Sequence, residues 1–290
     1  MNLEDSPSES GSHRPDWISS IAFVGGGNMA TALIGGLLRQ GVRPAQIKVV
    51  EPMAEARQRL AEKFAVLAQT SAGAQLRGSE LVVWAVKPQN FHEAAKQTAA
   101  YTGSSLHLSV AAGIGSDSIA SWLGTDRVIR AMPNTPALIG KGITALYARP
   151  GVAAADRQLV ERVIQPTGAQ LWVDQESQLD AVTALSGSGP AYVYFFIEAM
   201  TQAGSEMGLS RAQAQQLAIS TFAGASALAQ ASDETPSVLR QRVTSKGGTT
   251  HAAISSMEKD QLQAILIRAL HAARDRAAEM GREFGAARSP

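Results

Sequence analysis

The chain has 290 residues, of which 45% are hydrophobic and 18% charged, a composition typical of a folded globular protein of about two domains. The formal net charge is +1, no long basic run occurs and no apolar run approaches the roughly 20 residues that cross a bilayer, which disfavours nucleic-acid and membrane partners. The absence of cysteine excludes disulfides, thiol nucleophiles and cysteine-ligated metals. We therefore expect a cytoplasmic protein that acts on a small molecule and holds no metal.

The N-terminal stretch 1–17 is rich in serine, proline and acidic residues and lacks the features of a signal peptide, so we interpret it as a disordered tail. From Ile21 onward, short apolar runs alternate with helix-like stretches at 30–40 and 55–64, which predicts βαβ units and a parallel sheet. The predicted strands are 21–24, 47–50, 81–86, 106–110, 128–131, 143–147 and 171–173. The run 81–86 is apolar throughout, as expected of a central parallel strand covered on both faces.

The strand pattern ends near Glu176, and alanine-rich helical stretches follow at 191–203, 211–231 and 262–284. The second half of the chain is therefore predicted to be all helical. Its run 192–197 has the sequence Tyr-Val-Tyr-Phe-Phe-Ile, which is apolar on every face of a helix and requires burial all round. We expect a second subunit to supply that cover, because a helical layer of this size cannot enclose such a helix by itself.

The segment Gly25-Gly26-Gly27-Asn28-Met29-Ala30 follows the first predicted strand and matches the pattern G-x-G-x-x-G/A. Such glycines let the backbone approach a diphosphate, which the free N–H groups of the next helix bind. The alternative is a glycine turn without a ligand, which the preceding strand and the following helix disfavour. The motif predicts an α/β Rossmann domain, to which we assign 18–176, followed by an all-α dimerisation and substrate domain, 177–290.

Glu51 ends the second predicted strand, about 20 residues beyond the glycines, where an acidic side chain can accept hydrogen bonds from ribose hydroxyls. By charge alone Glu51 favours NAD, because a carboxylate repels a 2′-phosphate. Arg57 and Arg59, on the next predicted helix, are the nearest basic residues that could offset this repulsion. A solvated acid at the start of that helix is an equally good interpretation of Glu51.

Two further segments lie at predicted strand ends. Ala85-Val86-Lys87-Pro88 falls at the carboxyl edge, where open α/β sheets bind ligands, and Lys87 would either meet a phosphate or be solvated. In 130–136, two prolines frame Asn134 and stiffen the loop after another strand. Such a loop suits ligand positioning, and a purely structural turn explains it equally well.

In the helical half, 186–190 has the sequence Ser-Gly-Ser-Gly-Pro, which allows close backbone approach before the apolar helix. The segment 244–250, Thr-Ser-Lys-Gly-Gly-Thr-Thr, offers backbone N–H groups and hydroxyls before another helix. Because glycine turns and helix N-termini favour anions, this second segment is a candidate carboxylate cradle. The alternative is that Thr249 or Thr250 serves only as an N-cap.

Three segments together resemble the Δ1-pyrroline-5-carboxylate reductase family, and the likeness extends from Ile21 to about Phe284. Its most specific parts are Arg-Ala-Met-Pro-Asn-Thr-Pro-Ala at 130–137, Leu-Ser-Gly-Ser-Gly-Pro-Ala-Tyr at 185–192 and Gly-Gly-Thr-Thr at 247–250. The resemblance implies reduction of a cyclic imine to L-proline with NADPH, or with NADH. It also implies a homodimer with intertwined helices, which assembles in some members into a decamer of dimers.

The resemblance also implies which residues form the site. Gly25, Gly26, Gly27, Asn28, Met29 and Ala30 would hold the dinucleotide together with Ala85, Val86, Lys87, Pro88, Ala112 and Asn134, while Glu51 is assigned to the ribose by the charge argument above. Ser245, Gly248, Thr249 and Thr250 would hold the substrate, with Glu176 and Val243 as secondary substrate positions. Thr250 is the expected catalytic residue, through a hydrogen bond from its hydroxyl to the ring nitrogen, and backbone N–H groups of Gly248 and Thr249 would bind the carboxylate.

One departure from the family and three other functions qualify this interpretation. The family usually has proline where this chain has Lys246, which would loosen the loop but add attraction for a carboxylate. A β-hydroxyacid dehydrogenase or a related imine reductase would share the architecture, but the former uses a lysine on the helix after a glycine-rich segment, and 189–200 contains none. A dinucleotide-binding protein without turnover would not need a second, carboxylate-binding site.

Overall fold

The structure is a computed structural model and describes residues 17–285. The predicted tail, 1–17, lies outside the described residues except for Trp17, which packs against a hydrophobic core. Two compact units are present: 17–179 with 280–285, called here the sheet unit, and Asp180–Glu279, called the helical unit. The division after Leu179 lies close to the boundary expected after residue 176.

The sheet unit contains one eight-stranded sheet in the order β3-β2-β1-β4-β5-β6-β7-β8. The strands are β1 Ile21–Val24, β2 Ile47–Val50, β3 Ala68–Gln69, β4 Leu81–Trp84, β5 Leu106–Ser109, β6 Val128–Met132, β7 Gly142–Ala148 and β8 Gly168–Trp172. Every predicted strand is therefore confirmed, with shifted ends for most. The two-residue strand β3 was not predicted, because it is too short to show an alternating pattern.

The sheet is parallel except between β6 and β7, which pair antiparallel. The predicted parallel sheet is confirmed apart from this one antiparallel pair. The connection between the two strands holds only a short helical turn, Thr135–Ile139, rather than a crossover helix. A connection this short can join antiparallel neighbours but cannot return the chain for parallel pairing.

Successive residues of the central strands serve two separate cores, one on each face of the sheet. Ile21 and Phe23 belong to one core, and Ala22 and Val24 belong to the other. All four residues of β1 are buried, as are all four of β4. This double cover explains why these strands are apolar throughout rather than alternating.

The helices of the sheet unit cover both faces of the sheet. They are α1 Asn28–Arg39, α2 Ala54–Phe64, α3 Pro88–Thr102, α4 Ser116–Leu123 and α5 Ala154–Ile164. Pro88 begins α3, where its missing N–H costs nothing. The last described residues, 280–285, also belong to this unit, and Ser118 of α4 donates a 3.1 Å hydrogen bond to the Gly285 carbonyl.

The remaining helices are α6 Gln178–Val182, α7 Gly189–Glu206, α8 Arg211–Gln230, α9 Pro236–Arg242, α10 Thr249–Lys259 and α11 Leu262–Gly285. Between α6 and α7, the residues Thr183–Gly187 form a single π-helical turn. Helices α7 and α8 form a hairpin in which Gly204 permits close approach, because a Cβ there would lie 2.7 Å from the Ala214 Cβ. Among the described residues, no helix is long and apolar enough to cross a membrane.

Candidate functional site

The order of the strands places a crevice between β1 and β4. From β1 the chain moves outward to β2 and β3, and it then returns to β4 on the other side of β1. Because the connections after β1 and β4 leave in opposite directions, their loops separate at the carboxyl edge of the sheet. The predicted glycine segment follows β1 and the segment 85–88 follows β4, so the fold brings both to this switch point.

The glycine loop lies directly against the chain that leaves β4. Gly25 has φ +98°, and a Cβ at this position would lie 2.5 Å from the Ala85 carbonyl oxygen. Both the conformation and the available space therefore require glycine at this position. The Gly25 N–H donates to the Val50 carbonyl at 2.8 Å, so the loop is joined to β2 as well as to β4.

Beyond Gly26 the loop opens to solvent and leads into α1. Gly27 and Asn28 are exposed, and a Cβ at Gly27 would meet nothing within 4 Å. Gly27 is the N-cap residue of α1 and supplies no side-chain hydrogen bond, so the first N–H groups of the helix lack an internal acceptor. Free N–H groups beside a glycine surface suit a diphosphate, so the residues present fit the predicted dinucleotide.

Glu51 is held against the glycine loop rather than projecting into solvent. The residue is 7% exposed, and its carboxylate accepts hydrogen bonds from the Gly26 N–H at 2.7 Å and from the Met53 N–H at 2.8 Å. The interpretation of Glu51 as a solvated acid is therefore wrong. Its predicted contact with the ribose stays a prediction.

Other predicted cofactor residues lie along the same edge of the sheet. Ala112 lies between β5 and α4, and Asn134 follows β6. The Asn134 Oδ1 accepts a 3.0 Å hydrogen bond from the Ile143 N–H, which ties the loop to β7. Lys87 is exposed at the N-cap of α3. The role of each in binding the cofactor stays a prediction.

Glu176 occupies a polar cluster of the sheet unit. Its Oε1 accepts from the Ser116 N–H at 2.6 Å and from Arg130 Nη1 at 2.8 Å, and its Oε2 accepts from the Ser116 hydroxyl at 2.5 Å. The carboxylate thus holds the first residue of α4 and pairs with an arginine that is 9% exposed on β6. These contacts explain Glu176 as a support for the fold, and its predicted role towards the substrate stays a prediction.

The segment 243–250 forms a turn that leads into α10 of the helical unit. The Gly248 N–H donates to the Ser245 carbonyl at 3.0 Å, so it is already engaged and does not fit the role we expected for it at the carboxylate. Gly248 is the N-cap of α10 without a side-chain bond, which makes the N-cap interpretation of Thr249 and Thr250 wrong. The N–H groups of the first turn of α10, including those of both threonines, lack an intrahelical acceptor.

The turn tolerates Lys246 in place of the expected proline. Lys246 and Gly247 are its two central residues, and Gly247 has φ +77°. A positive φ at the third position is characteristic of a type II turn, which accepts proline at the second position but does not require it. The hydrogen bond from Gly248 to Ser245 closes the turn, so the cradle keeps its shape with lysine present.

One buried titratable group lies on β5, in the hydrophobic interior of the sheet unit. His107 is fully buried, and burial lowers the pKa of its imidazole from 6.5 to about 4. Its Nδ1 accepts from Trp84 Nε1 at 3.0 Å, and its Nε2 lies 3.2 Å from the Thr102 carbonyl. These partners fix the neutral tautomer that carries its proton on Nε2. Within 17–285, no three His, Cys, Asp or Glu side chains are grouped to hold a metal ion.

Comparison with known proteins identifies relatives along the whole described fold. A family model described as pyrroline-5-carboxylate reductase dimerisation matches residues 176–280, and one described as NADP oxidoreductase, coenzyme F420-dependent, matches residues 20–113. The pyrroline-5-carboxylate reductase of Pseudomonas aeruginosa is 45% identical over 267 residues, which cover 91% of this chain and 98% of the relative. The chain belongs to the pyrroline-5-carboxylate reductase family.

Solved structures agree with this assignment. The pyrroline-5-carboxylate reductase of Coxiella burnetii superposes with a TM-score of 0.83 at 35% identity, covering 91% of this chain and 98% of that one. The Plasmodium falciparum pyrroline carboxylate reductase, solved with NADP bound, gives a TM-score of 0.81 at 27% identity, with coverage of 90% and 98%. Family membership makes this chain an oxidoreductase of the NAD(P)-dependent type, with a Rossmann domain before a helical domain.

The family's dimerisation region supports a homodimer, and the surface of the helical unit agrees with it. On α7, Tyr194 is 58% exposed and Phe195 is 67% exposed in the single chain. On α8, Leu217 and Leu228 are also more than half exposed. Large apolar side chains in such number on one pair of helices require a covering surface, as expected for a subunit interface.

Sequence reasoning missed two contributors to the site region. Arg130 was noticed only as part of a motif, although a charge within a buried strand signals a specific partner, here Glu176. From the sequence, Arg57 is predicted only to offset the charge of Glu51. In the structure its Nη1 donates to the Glu51 carbonyl at 3.0 Å and to the Pro52 carbonyl at 2.6 Å, directly beside the end of β2.

Proposed function

We propose that this protein reduces 1-pyrroline-5-carboxylate to L-proline, the last step of proline biosynthesis, with NADPH as the preferred donor and NADH as an alternative. One observation carries the proposal within the chain: two glycine turns, at 25–27 and at 247–248, each precede a helix whose N-cap supplies no side-chain hydrogen bond. The first lies at the switch point of a nucleotide-binding sheet. The second suits a small carboxylate, which is the charged group of this substrate.

The substrate carboxylate would bind at the start of α10. The N–H groups of Thr249 and Thr250 are free of intrahelical partners there, and the positive end of the helix favours an anion. Gly248 contributes space, because a Cβ on it would lie 2.7 Å from the Ser245 hydroxyl oxygen. The Ser245 hydroxyl therefore lies beside the cradle. Val243, two residues before Ser245, is 66% exposed.

The reaction adds a hydride to the imine carbon and a proton to the imine nitrogen, with NADPH supplying the hydride when it is bound. Charge changes at the nitrogen, so a hydrogen-bonding group positioned there lowers the barrier. Thr250 is the group assigned to this role. Thr250 is half-buried and lies in the first turn of α10. A carboxylate bound by the N-terminus of this helix would therefore lie beside the Thr250 hydroxyl.

Steady-state reduction of 1-pyrroline-5-carboxylate, followed by the loss of NADPH absorbance and repeated with NADH, tests the function directly. Thr250→Val keeps the shape and removes the hydroxyl, and it should lower kcat/KM about 10- to 100-fold, the effect of one hydrogen bond to a charged group. Thr102→Val is the matched control, because the Thr102 hydroxyl lies in the sheet unit and donates to the Thr98 carbonyl at 3.2 Å. Unchanged kcat/KM in a folded Thr250→Val protein would remove Thr250 from the mechanism.

Two finer points complete the proposal. We infer a cytoplasmic location, where the required nicotinamide cofactor is available, and a further assembly of dimers into a decamer of dimers. Cell fractionation tests the location. Native mass spectrometry tests the assembly, and a mass that stays at the dimer at micromolar concentration would reject the larger form.

A further inference from the structure

We propose that Arg57 reads the 2′-phosphate of NADPH, and that Glu51 is a positioning residue that locks the glycine loop and does not read the ribose. The proposal deepens the nucleotide part of the function above and rests on it. It also reverses the charge argument from the sequence, in which Glu51 favoured NAD.

The contacts of Glu51 explain why its charge does not face the ligand. One carboxylate oxygen accepts from the Gly26 N–H at 2.7 Å and the other accepts from the Met53 N–H at 2.8 Å. A Cβ on Gly26 would lie 2.9 Å from Leu60 Cδ1 and 3.2 Å from Glu51 Cγ, so the loop covers the glutamate side chain closely. A carboxylate that is 7% exposed and accepts a hydrogen bond on each oxygen fixes the loop, and the two N–H dipoles partly offset its charge.

Arg57 is the cation at the end of β2, where a Rossmann domain places the 2′ position of the adenosine ribose. Its Nη1 bridges the carbonyl oxygens of Glu51 and Pro52, at 3.0 and 2.6 Å. These two contacts fix the guanidinium on uncharged acceptors. Among residues 17–285 it forms no ion pair with a carboxylate, so its charge remains available.

An arginine held in this way suits a phosphate better than a mobile surface lysine would. The guanidinium presents several N–H donors in a fixed plane, and two backbone carbonyls already set its orientation. Arg59, two residues along α2, lies on another face of the helix, and its side chain forms no hydrogen bond or ion pair in the part of the chain that the structure describes. The fold therefore distinguishes two arginines that the sequence leaves equivalent.

The test is calorimetric binding of 2′,5′-ADP and 5′-AMP to the full-length protein, which requires no turnover. Arg57→Gln should weaken 2′,5′-ADP about 10- to 100-fold, the effect of losing a charge-assisted hydrogen bond, and should leave 5′-AMP within about threefold. Arg59→Gln, with the same change of charge, should leave both ligands within about threefold.

Glu51 is tested by two variants with the same pair of ligands. Glu51→Gln leaves a single oxygen for two N–H groups, and Glu51→Asp keeps the charge but shortens the reach to Gly26. Each should weaken both ligands by the same factor, about tenfold, because each loosens the shared glycine loop. Circular dichroism melting of each variant establishes that it is folded.

Three results would overturn the proposal. They are an Arg57→Gln protein that loses no more affinity than Arg59→Gln, an Arg57→Gln protein that loses both ligands equally, and a Glu51→Gln protein that gains 2′,5′-ADP affinity relative to 5′-AMP. A native protein that discriminates the two ligands through Arg57 but does not reduce the imine would reject the proposed function and leave this inference standing.

Discussion

The buried imidazole of His107 makes the sheet unit sensitive to acid. The folded protein holds the pKa of His107 at about 4, whereas an unfolded chain has its ordinary value of 6.5. Between these values the unfolded state takes up a proton that the folded state does not, so stability falls as the pH falls through this window. At about 1.4 kcal/mol for each pH unit, the difference of 2.5 pH units corresponds to a loss of about 3 kcal/mol.

His107→Asn should remove this acid dependence. The Asn amide oxygen can still accept from Trp84 Nε1, but the smaller side chain leaves a cavity and loses the contact with the Thr102 carbonyl. We expect the variant to be about 2 kcal/mol less stable than the native protein at pH 7.5, and to approach it in stability by pH 4.5.

Urea unfolding monitored by tryptophan fluorescence at intervals from pH 7.5 to 4.5 measures the effect. The control is His92→Asn, which removes another imidazole from the aromatic cluster that His107 forms with Trp84, Phe91 and Trp122. The ring of His92 meets that of Trp122 edge-on, with the two ring centroids 5.0 Å apart. This control should keep the acid dependence of the native protein because His107 is intact. A native protein whose stability falls with acid no faster than that of His107→Asn would refute the reasoning.

Three further predictions follow from the fold. Gly168→Ala should abolish folding or lower the free energy of unfolding by about 4 kcal/mol or more, because Gly168 has φ +134° and a Cβ there would lie 2.0 Å from the Gly142 carbonyl oxygen. The control is Gly124→Ala, at φ +67° with nothing within 4 Å of a Cβ, which should lower the free energy of unfolding by only about 1 to 2 kcal/mol. Urea unfolding measures both. Lys246→Pro should stabilise the turn by about 0.4 to 1 kcal/mol by thermal melting, and a drop in stability would contradict the type II assignment. Light scattering should find a dimer or larger assembly, because α7 exposes large apolar side chains, and a stable, active monomer would contradict this.

The sequence by itself determined the order and type of the main elements. Uninterrupted apolar runs such as 81–86 predict buried parallel strands because a strand covered on both faces has no polar side. The glycine segment at 25–30 was placed correctly between a strand and a helix, since its pattern is local. The apolar run 192–197 likewise indicated a covering subunit, because a helix that is apolar on every face must be buried on every face.

Only the tertiary structure decided which polar side chains have hydrogen-bond partners within the protein and which do not. Glu51 and the Gly26 N–H are 25 residues apart in sequence, and Glu176 and Ser116 are 60 apart, so no local pattern could show that these groups are bonded. The two arginines at 57 and 59 have the same charge and similar neighbours in sequence, and the end of β2 selects one of them. A hydrogen bond requires its donor and acceptor to be placed to within a few tenths of an ångström. For residues far apart in sequence, only the meeting of separate strands at one edge of the sheet sets that distance.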